Sequence, residues 1–543
     1  RKWVDVRKSE AVNAEINAQI VQTMEGLSNP RNTLVWRTSA LLFIQQRIQY
    51  AYQVMGLEGV LSILRKLETP KEREIVMGIL ETLTCYLFKA LHSKMEHLSE
   101  DDLKVAHEDT QQCIQEIVET VSTPKLPARC FQRGLWALWR VGEAAGPSIP
   151  RPGVSAVITI ALRDGDRQSR EAAIKLLSQA GPESAANAAR ICRRLLGDPD
   201  HAVRAAALRA LQVLGVFDPE LFAQAAAMLG DDAACVRLDA LGLLGAMASA
   251  TPDALVLPNQ VLAAPGWADD PASSVPVRMT DDCFMQASTA VFDGDMAVRE
   301  RACRLMGRLP AVRPHYLLQT LTKRVLTQTQ LEDVEQNAGE GEGDLSITTS
   351  ARLLSADAAG AFVVGLEDEF LEVRCAAVGS ICGLMVGSRL LRDRALDVVV
   401  DMLTDEMDAV RLAALHGLFL VRHVVELSDA HLQVLAGVLD DVAEALRHRA
   451  QEVLAAVRLT SSAGLLLVVR ALLDTLARCP GDRAHVYAGL CSLGRRLSGL
   501  VEEVAGRLLA VDSPYLTLEP DVHDPTYVGV LVLVLSSAAS NPA

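Results

Sequence analysis

Four groups of side chains in this 543-residue chain have types and spacings that could do chemistry. His416 and His423 stand seven residues apart, so two helical turns would put both imidazoles on one face as candidate zinc ligands. No third ligand of the right type lies close, and they are read as ordinary surface or core histidines. Glu340, Glu342 and Asp344 offer carboxylates to Ca²⁺ but miss the spacing of an EF-hand loop, so a solvated loop is expected there. Arg1, Lys2, Arg7 and Lys8 form a basic cluster of a kind that can hold a polyanion; the simpler reading is a solvated helix end. The fourth group is a set of Asp–Arg pairs that recur in phase. HExxH, GxSxG, a Walker phosphate loop and a GxGxxG between strand and helix are all absent. The expectation is a non-enzyme with no catalytic, cofactor-binding or metal-binding residues.

The recurring pairs define a repeat. Its clearest copy runs Leu196-Gly-Asp198-Pro-Asp200-His-Ala-Val203-Arg204 into an Ala-rich stretch. The pairs are Asp164/Arg170, Asp198/Arg204, Asp231/Arg237, Asp293/Arg299, Asp368/Arg374, Asp405/Arg411 and Asp441/Arg447, with Arg always six residues after Asp. One such pair means nothing, whereas seven in register with an apolar pattern indicate architecture. Successive arginines are 34, 33, 62, 75, 37 and 36 residues apart. The short intervals each fit one helix–turn–helix unit, and the two long ones imply insertions. Val203, Ala206, Ala207, Ala210, Leu211 and Leu214 fall at i, i+3, i+4, i+7, i+8 and i+11, one face of a helix. Each Asp is placed in the turn, where it can accept from the N–H groups opening the second helix. Each Arg lies a turn further in, within reach of the Asp of its own or of the adjacent unit, which makes an inter-repeat ladder. The fold expected is all-α, an α-solenoid of HEAT/armadillo-type helical repeats.

Bulk properties agree with close-packed helices. The chain is 50% hydrophobic but 4% aromatic, and 22% charged, a balance that favours neither sheets nor global disorder. A formal net charge of −15 argues against a protein built mainly to grip nucleic acid, so RNA contact is expected to be indirect or weak. Eleven cysteines are scattered without a CxxC, as small apolar fillers in a reducing compartment. The start lacks a secretory signal, and the longest apolar runs, such as Tyr527–Leu535, fall far short of a bilayer span. A soluble intracellular protein is expected, possessing no membrane partner.

Along the chain, 1–150 is expected to hold divergent helical repeats or a cap, with breaks near Asn29-Pro30, Thr69-Pro70 and Gly146-Pro147. Residues 151–326 carry repeats interrupted by a Pro-rich loop at 251–281, containing Pro252, Pro258, Pro265, Pro271 and Pro276. An acidic, Gly-rich insertion occupies 327–357, repeats resume over 358–460, and helices without the Asp–Arg mark fill 461–543, which reads as truncated.

Several stretches resemble one family. They are Ala359-Gly-Ala-Phe-Val-Val-Gly-Leu-Glu-Asp-Glu-Phe-Leu-Glu-Val-Arg374, Val400-Asp-Met-Leu-Thr-Asp-Glu-Met-Asp-Ala-Val-Arg411, Tyr316-Leu-Leu-Gln-Thr-Leu-Thr-Lys323 and the segment Leu518-Glu519-Pro520-Asp521-Val-His-Asp524-Pro525-Thr-Tyr527. The last is the most specific, because a generic repeat array has no need of Glu-Pro-Asp before an apolar helix. The chain resembles the Integrator complex subunit 4 family, symplekin-like HEAT scaffolds, well over 151–543 and poorly over 1–150. The resemblance implies a nuclear scaffold that holds a metallo-β-lactamase-type RNA endonuclease and its inactive paralogue, together with other Integrator subunits. That module cuts nascent RNA, including small nuclear RNA 3′ ends, with the catalytic metal on a partner chain. Glu519, Pro520, Asp521, Asp524, Pro525 and Tyr527 are then either a partner contact or a turn in which Asp524 caps the helix beginning at Pro525. The family continues into a C-terminal region that helps grip the nuclease pair, and its insertion can be basic where this one is acidic. The alternative reading is a generic HEAT adaptor for transport or phosphatase assembly.

Overall fold

A computed structural model describes residues 18–27, 29, 34–47, 57–65, 67, 69–93, 100–123, 126–145, 153–256, 276–322, 360–509, 521 and 523–540. The expected insertion at 327–357, the basic cluster Arg1, Lys2, Arg7 and Lys8, and the carboxylates Glu340, Glu342 and Asp344 lie outside them. The fold is an α-solenoid of paired helices, and it divides into two compact units, Arg1–Phe217 and Asp218–Ala543.

In the first unit the labelled helices are α1 (Leu34–Gln46), α2 (Pro70–Ser93), α3 (Glu100–Val121), α4 (Ala128–Ala145), α5 (Val154–Asp164), α6 (Arg167–Leu177), α7 (Pro182–Arg194) and α8 (His201–Leu214). The even-numbered helices pack in a row, α2 on α4, α4 on α6 and α6 on α8, each with a partner helix at its side. Local chemistry sets the boundaries. Pro70 opens α2, and Thr69 and Glu72 bond reciprocally: the Glu72 carboxylate accepts from the Thr69 N–H at 3.1 Å, and the Glu72 N–H donates to the Thr69 hydroxyl at 3.4 Å. Gly215, at φ 65°, ends α8 in the left-handed conformation that glycine adopts without strain.

The stack depends on small residues. In α8, Val203, Ala206, Ala207, Ala210 and Leu211 are buried as one face, with Leu214 half-buried at its end. Ala205 and Leu208 are buried as well, because this helix has neighbours on more than one side. An alanine there lets two helix axes approach closely, and the burial is shared between units that could not cover their apolar faces alone.

The second unit runs α9 (Pro219–Ala227), α10 (Ala234–Ala250), β1 (Leu255–Val256), β2 (Val277–Arg278), α11 (Met279–Ala290), α12 (Met296–Met306), α13 (Pro314–Gln319), α14 (Ala361–Leu366), α15 (Leu371–Gly387), α16 (Arg389–Asp401), α17 (Asp408–Val421), α18 (Asp429–Gly437), α19 (Glu444–Ala456), α20 (Ser462–Arg478), α21 (Arg483–Arg496), α22 (Ser498–Leu508) and α23 (Pro525–Ser540). One row is α10, α12, α15, α17, α19, α21 and α23, and a second row is α16, α18, α20 and α22.

The stretch 251–281 is not wholly loop. Leu255 and Val256 pair antiparallel with Arg278 and Val277, and α11 begins at Met279. Residues 257–275, which hold most of the prolines, lie outside the described residues. The ribbon forms because a buried charge cluster pins its foot. Asp281, fully buried, accepts from Arg278 at 2.9 and 3.0 Å and from the Arg313 N–H at 3.1 Å. Arg278 also donates to the Ala311 carbonyl at 2.8 Å.

Candidate functional site: the Asp–Arg ladder

Six of the seven repeat arginines are seen to join two repeats. Arg237 holds Asp293 with two parallel bonds, Nε to Oδ2 and Nη2 to Oδ1, both 2.7 Å. Arg299 holds Asp368 at 2.6 and 3.1 Å, and Arg447 holds Asp482 at 2.7 and 3.1 Å in the same fork geometry. Arg170 reaches Asp198, Arg374 reaches Asp405, and Arg411 reaches Asp441, at 3.2, 3.2 and 2.9 Å. The carboxylate partner therefore belongs to the following repeat. The remaining nitrogen, Nη1, turns back to the arginine's own repeat. There it donates to the carbonyl six residues earlier: Asp198 for Arg204, Asp231 for Arg237, Asp293 for Arg299, Asp368 for Arg374, Asp405 for Arg411 and Asp441 for Arg447, all at 2.7–3.0 Å.

The carboxylates do not cap the helices directly. Asp198, Asp231, Asp293, Asp368, Asp405 and Asp441 each accept from the backbone N–H two residues on, at 2.8–2.9 Å, and that residue is the N-cap of the following helix. Six residues before the arginine is two residues too early for a side chain to reach the first helical N–H groups. Asp200 and Asp295 take that role for α8 and α12. Asp164 departs further, since it is the last residue of α5 rather than a turn residue, and its side chain is outside the described set. This turn is shorter. Asp166 caps α6 by accepting from the Ser169 N–H at 3.1 Å, and Arg170 donates to the Gly165 carbonyl at 3.1 Å.

Asp482 is absent from the sequence pattern, having no arginine six residues on. It is nevertheless the most heavily bonded acceptor of the ladder, also receiving His448 Nε2 at 3.1 Å and Gln451 Nε2 at 3.3 Å. The signal available was its distance from Arg447, 35 residues, close to one repeat. The bond to Arg447 holds the Asp482 carboxyl below its ordinary range and raises the Arg447 guanidinium in turn. Side chains of the rungs are largely buried, with Arg299 12% and Asp368 5% exposed, so water competes little with them.

At the far end, Glu519 and Pro520 lie outside the described residues. Asp521 accepts from the His523 N–H at 2.9 Å, and Asp524 from the Thr526 and Tyr527 N–H groups at 3.2 and 3.4 Å. Pro525 is the first residue of α23, and its carbonyl accepts from the Tyr487 hydroxyl at 3.0 Å. His416 sits within α17, but the helix ends at Val421, so His423 lies beyond it and shares no helical face with His416. Among the described residues no three His, Cys, Asp or Glu side chains gather as a metal-holding group. Cys113, Cys192, Cys303 and Cys382 are buried, and burial pushes their thiols up to about 12. No helix among the described residues is long and apolar enough to cross a membrane.

Helical hairpins tied by this ladder define a HEAT-repeat solenoid. Yeast importin-β (Kap95p) is similar in fold, with a TM-score of 0.53 at 13% identity over 100% of this chain and 66% of that one. No family model matches the sequence. Relatives do match it. Integrator complex subunit 4 of Drosophila melanogaster is 30% identical over 436 residues, covering 76% of this chain and 42% of the relative. The Mus musculus subunit is 31% identical over 413 residues, 70% and 42% of the two chains. The chain belongs to the Integrator complex subunit 4 family, and it spans about two-fifths of the length of these curated relatives.

Proposed function

We propose that the chain is a non-catalytic scaffold of the Integrator complex, acting in the nucleus to hold the RNA endonuclease heterodimer for 3′-end cleavage of small nuclear RNA and other nascent transcripts. The observation that carries the reading is family membership in a chain whose repeated polar residues are spent on joining repeats. In three rungs both Nε and Nη2 of the arginine meet the next repeat's carboxylate, so these side chains serve the joining of repeats. A stack joined in this way offers a long surface on which bound partners stay close together, raising their effective concentration. Partners are a metallo-β-lactamase-type endonuclease, its inactive paralogue and other Integrator subunits, and RNA is met through them. The segment from Glu519 to Tyr527 is a second element of the proposal: its exposed Asp521 and Asp524 flank the start of α23 and are available to a partner.

Mass spectrometry of proteins co-purifying with the tagged chain at moderate salt tests the reading. Recovery of the endonuclease pair is expected. A transport receptor or a phosphatase as the main partner would instead favour a generic HEAT adaptor. Absence of the pair both here and with a C-terminally extended chain would remove the scaffold proposal.

A further inference from the structure

The net charge of −15 is unevenly spread along the chain. From Ala128, where α4 begins, to Phe217, the end of the first unit, 13 Lys and Arg stand against 7 Asp and Glu, a formal charge of +6. Some of these cations are committed within the fold, as Arg170 is to Asp198. Arg129, Arg133 and Lys175 are not: none of the three has a carboxylate partner among the described residues. They share one surface. Arg129, Arg133, Trp136 and Arg140 recur at i, i+4, i+7 and i+11, one face of α4, and all four are exposed or half-buried. Arg133 lies against α2: a Cβ on Gly78 would stand 2.8 Å from its Nη2, and its Nε is buried without an acceptor. Arg140 is paired with Glu81 of α2 at 2.6 Å but keeps 62% of its side chain exposed. From α6, Lys175 holds its ammonium 4.2 Å from the centre of the Trp136 ring and 5.3 Å from that of Trp139. The two indoles meet edge to face at 5.3 Å, and both are half-buried. Glu143, exposed in the last turn of α4, ends the basic stripe.

We infer that this face of α4 and α6 binds single-stranded RNA directly, with phosphates on Arg129, Arg133 and Lys175 and a base against the indoles. Three features select that ligand. The cations of α4 follow one another along the helix at intervals of about one turn, an arrangement that meets a chain of successive anions. A cation with no carboxylate gives up no ion pair on meeting a phosphate, and the phosphate sheds its counterions. Beside the cations stand aromatic rings, which take the π-face of any base. An acidic protein helix is a poorer match. Every Leu, Ile and Val of α4 and α6 is buried, so such a helix would find no apolar seam to pack on. The contact is additional to those that partners supply, and its failure would leave the scaffold reading untouched.

Binding of a labelled oligouridylate of about 12 nucleotides to the full chain can be followed by fluorescence anisotropy at several salt concentrations. Saturable binding is expected, with log affinity falling against log salt at a slope of about −2, the value for three phosphates neutralised on a single strand. Combining Arg129→Gln, Arg133→Gln and Lys175→Gln is expected to weaken binding about tenfold or more and to flatten that slope. Arg129→Glu alone, at an exposed position, should act in the same direction at an unchanged melting temperature. Trp136→Leu should weaken binding about tenfold with the slope kept, because stacking releases no counterions. Arg190→Gln with Arg194→Gln, exposed on α7 away from this face, is the charge control and should change little. No binding by the parent chain at low salt overturns the inference, and so does an equal loss in the α7 control. Inorganic polyphosphate competing as well as RNA of the same charge, with Trp136→Leu without effect, also overturns it and leaves a surface for any polyanion.

Discussion

A guanidinium presents its donors in one rigid plane, and Arg299 uses that plane in two directions. One edge takes the next repeat's carboxylate, and the other takes a carbonyl of its own turn. An ammonium cannot do both. Arg299→Lys is therefore expected to lower stability by about 2 kcal/mol, the loss of charge-assisted bonds to a largely buried carboxylate, read as a lower urea midpoint. An unchanged midpoint would mean that the rung adds nothing to packing. The Arg447–Asp482 rung adds a pH signature. Asp482 has a folded-state pKa depressed by Arg447, so its contribution is complete above the unfolded value, about 3.9, and is lost as pH falls through the folded value. Asp482→Asn should be less stable at neutral pH and should lose less than the parent below about pH 4. Melting curves running parallel across that range would refute this assignment.

Element boundaries and helix crossings show how far the sequence could be read. The phase of Asp and Arg is visible because both belong to one local turn, and the Ala-rich face of α8 because helical spacing is a local property. Which repeat supplies each carboxylate is a non-local fact. Arg237 finds Asp293 and Arg299 finds Asp368 across long insertions, at separations that no fixed period predicts. The same holds for Asp482, which only its position in space identifies as an acceptor, and for the β1–β2 ribbon, whose two-residue strands carry no alternation to detect. The shared helical face offered for His416 and His423 does not form, because nothing in the local pattern marks the end of α17 at Val421. Close helix crossings are equally non-local. Gly494 on α21 faces α23 so tightly that a Cβ there would lie 2.3 Å from the Leu533 carbonyl oxygen, a backbone atom that cannot step aside alone. Gly494→Ala is expected to destabilise by about 1–3 kcal/mol through overpacking, despite alanine's better helix propensity. Thermal denaturation decides the sign; a gain in melting temperature would show that the helices separate at no cost.

At the scale of the whole molecule, a stacked array distributes stability through contacts between neighbours rather than through one central core. The α23 helix is a direct test of that behaviour. Its Leu533 is fully buried, and its Gly529 sits against Leu473, Leu476 and Leu490 of the preceding helices. Deleting residues 521–543 uncovers those leucines, at a cost of about 1.5–3 kcal/mol for each one fully exposed. In a single cooperative core that loss would be felt everywhere. In a nearest-neighbour stack it should be felt by α20, α21 and α22, fade through α19, and leave α10 and α12 untouched. Hydrogen exchange measured along the chain distinguishes the two. Faster exchange concentrated in 462–508 and fading through α19, with α10 and α12 protected as before, supports local coupling. That independence is what a scaffold needs if one partner is to bind or leave without releasing another. Uniform loss of protection across the second unit would instead show that it folds as one block, and that partners at separate repeats feel one another through it.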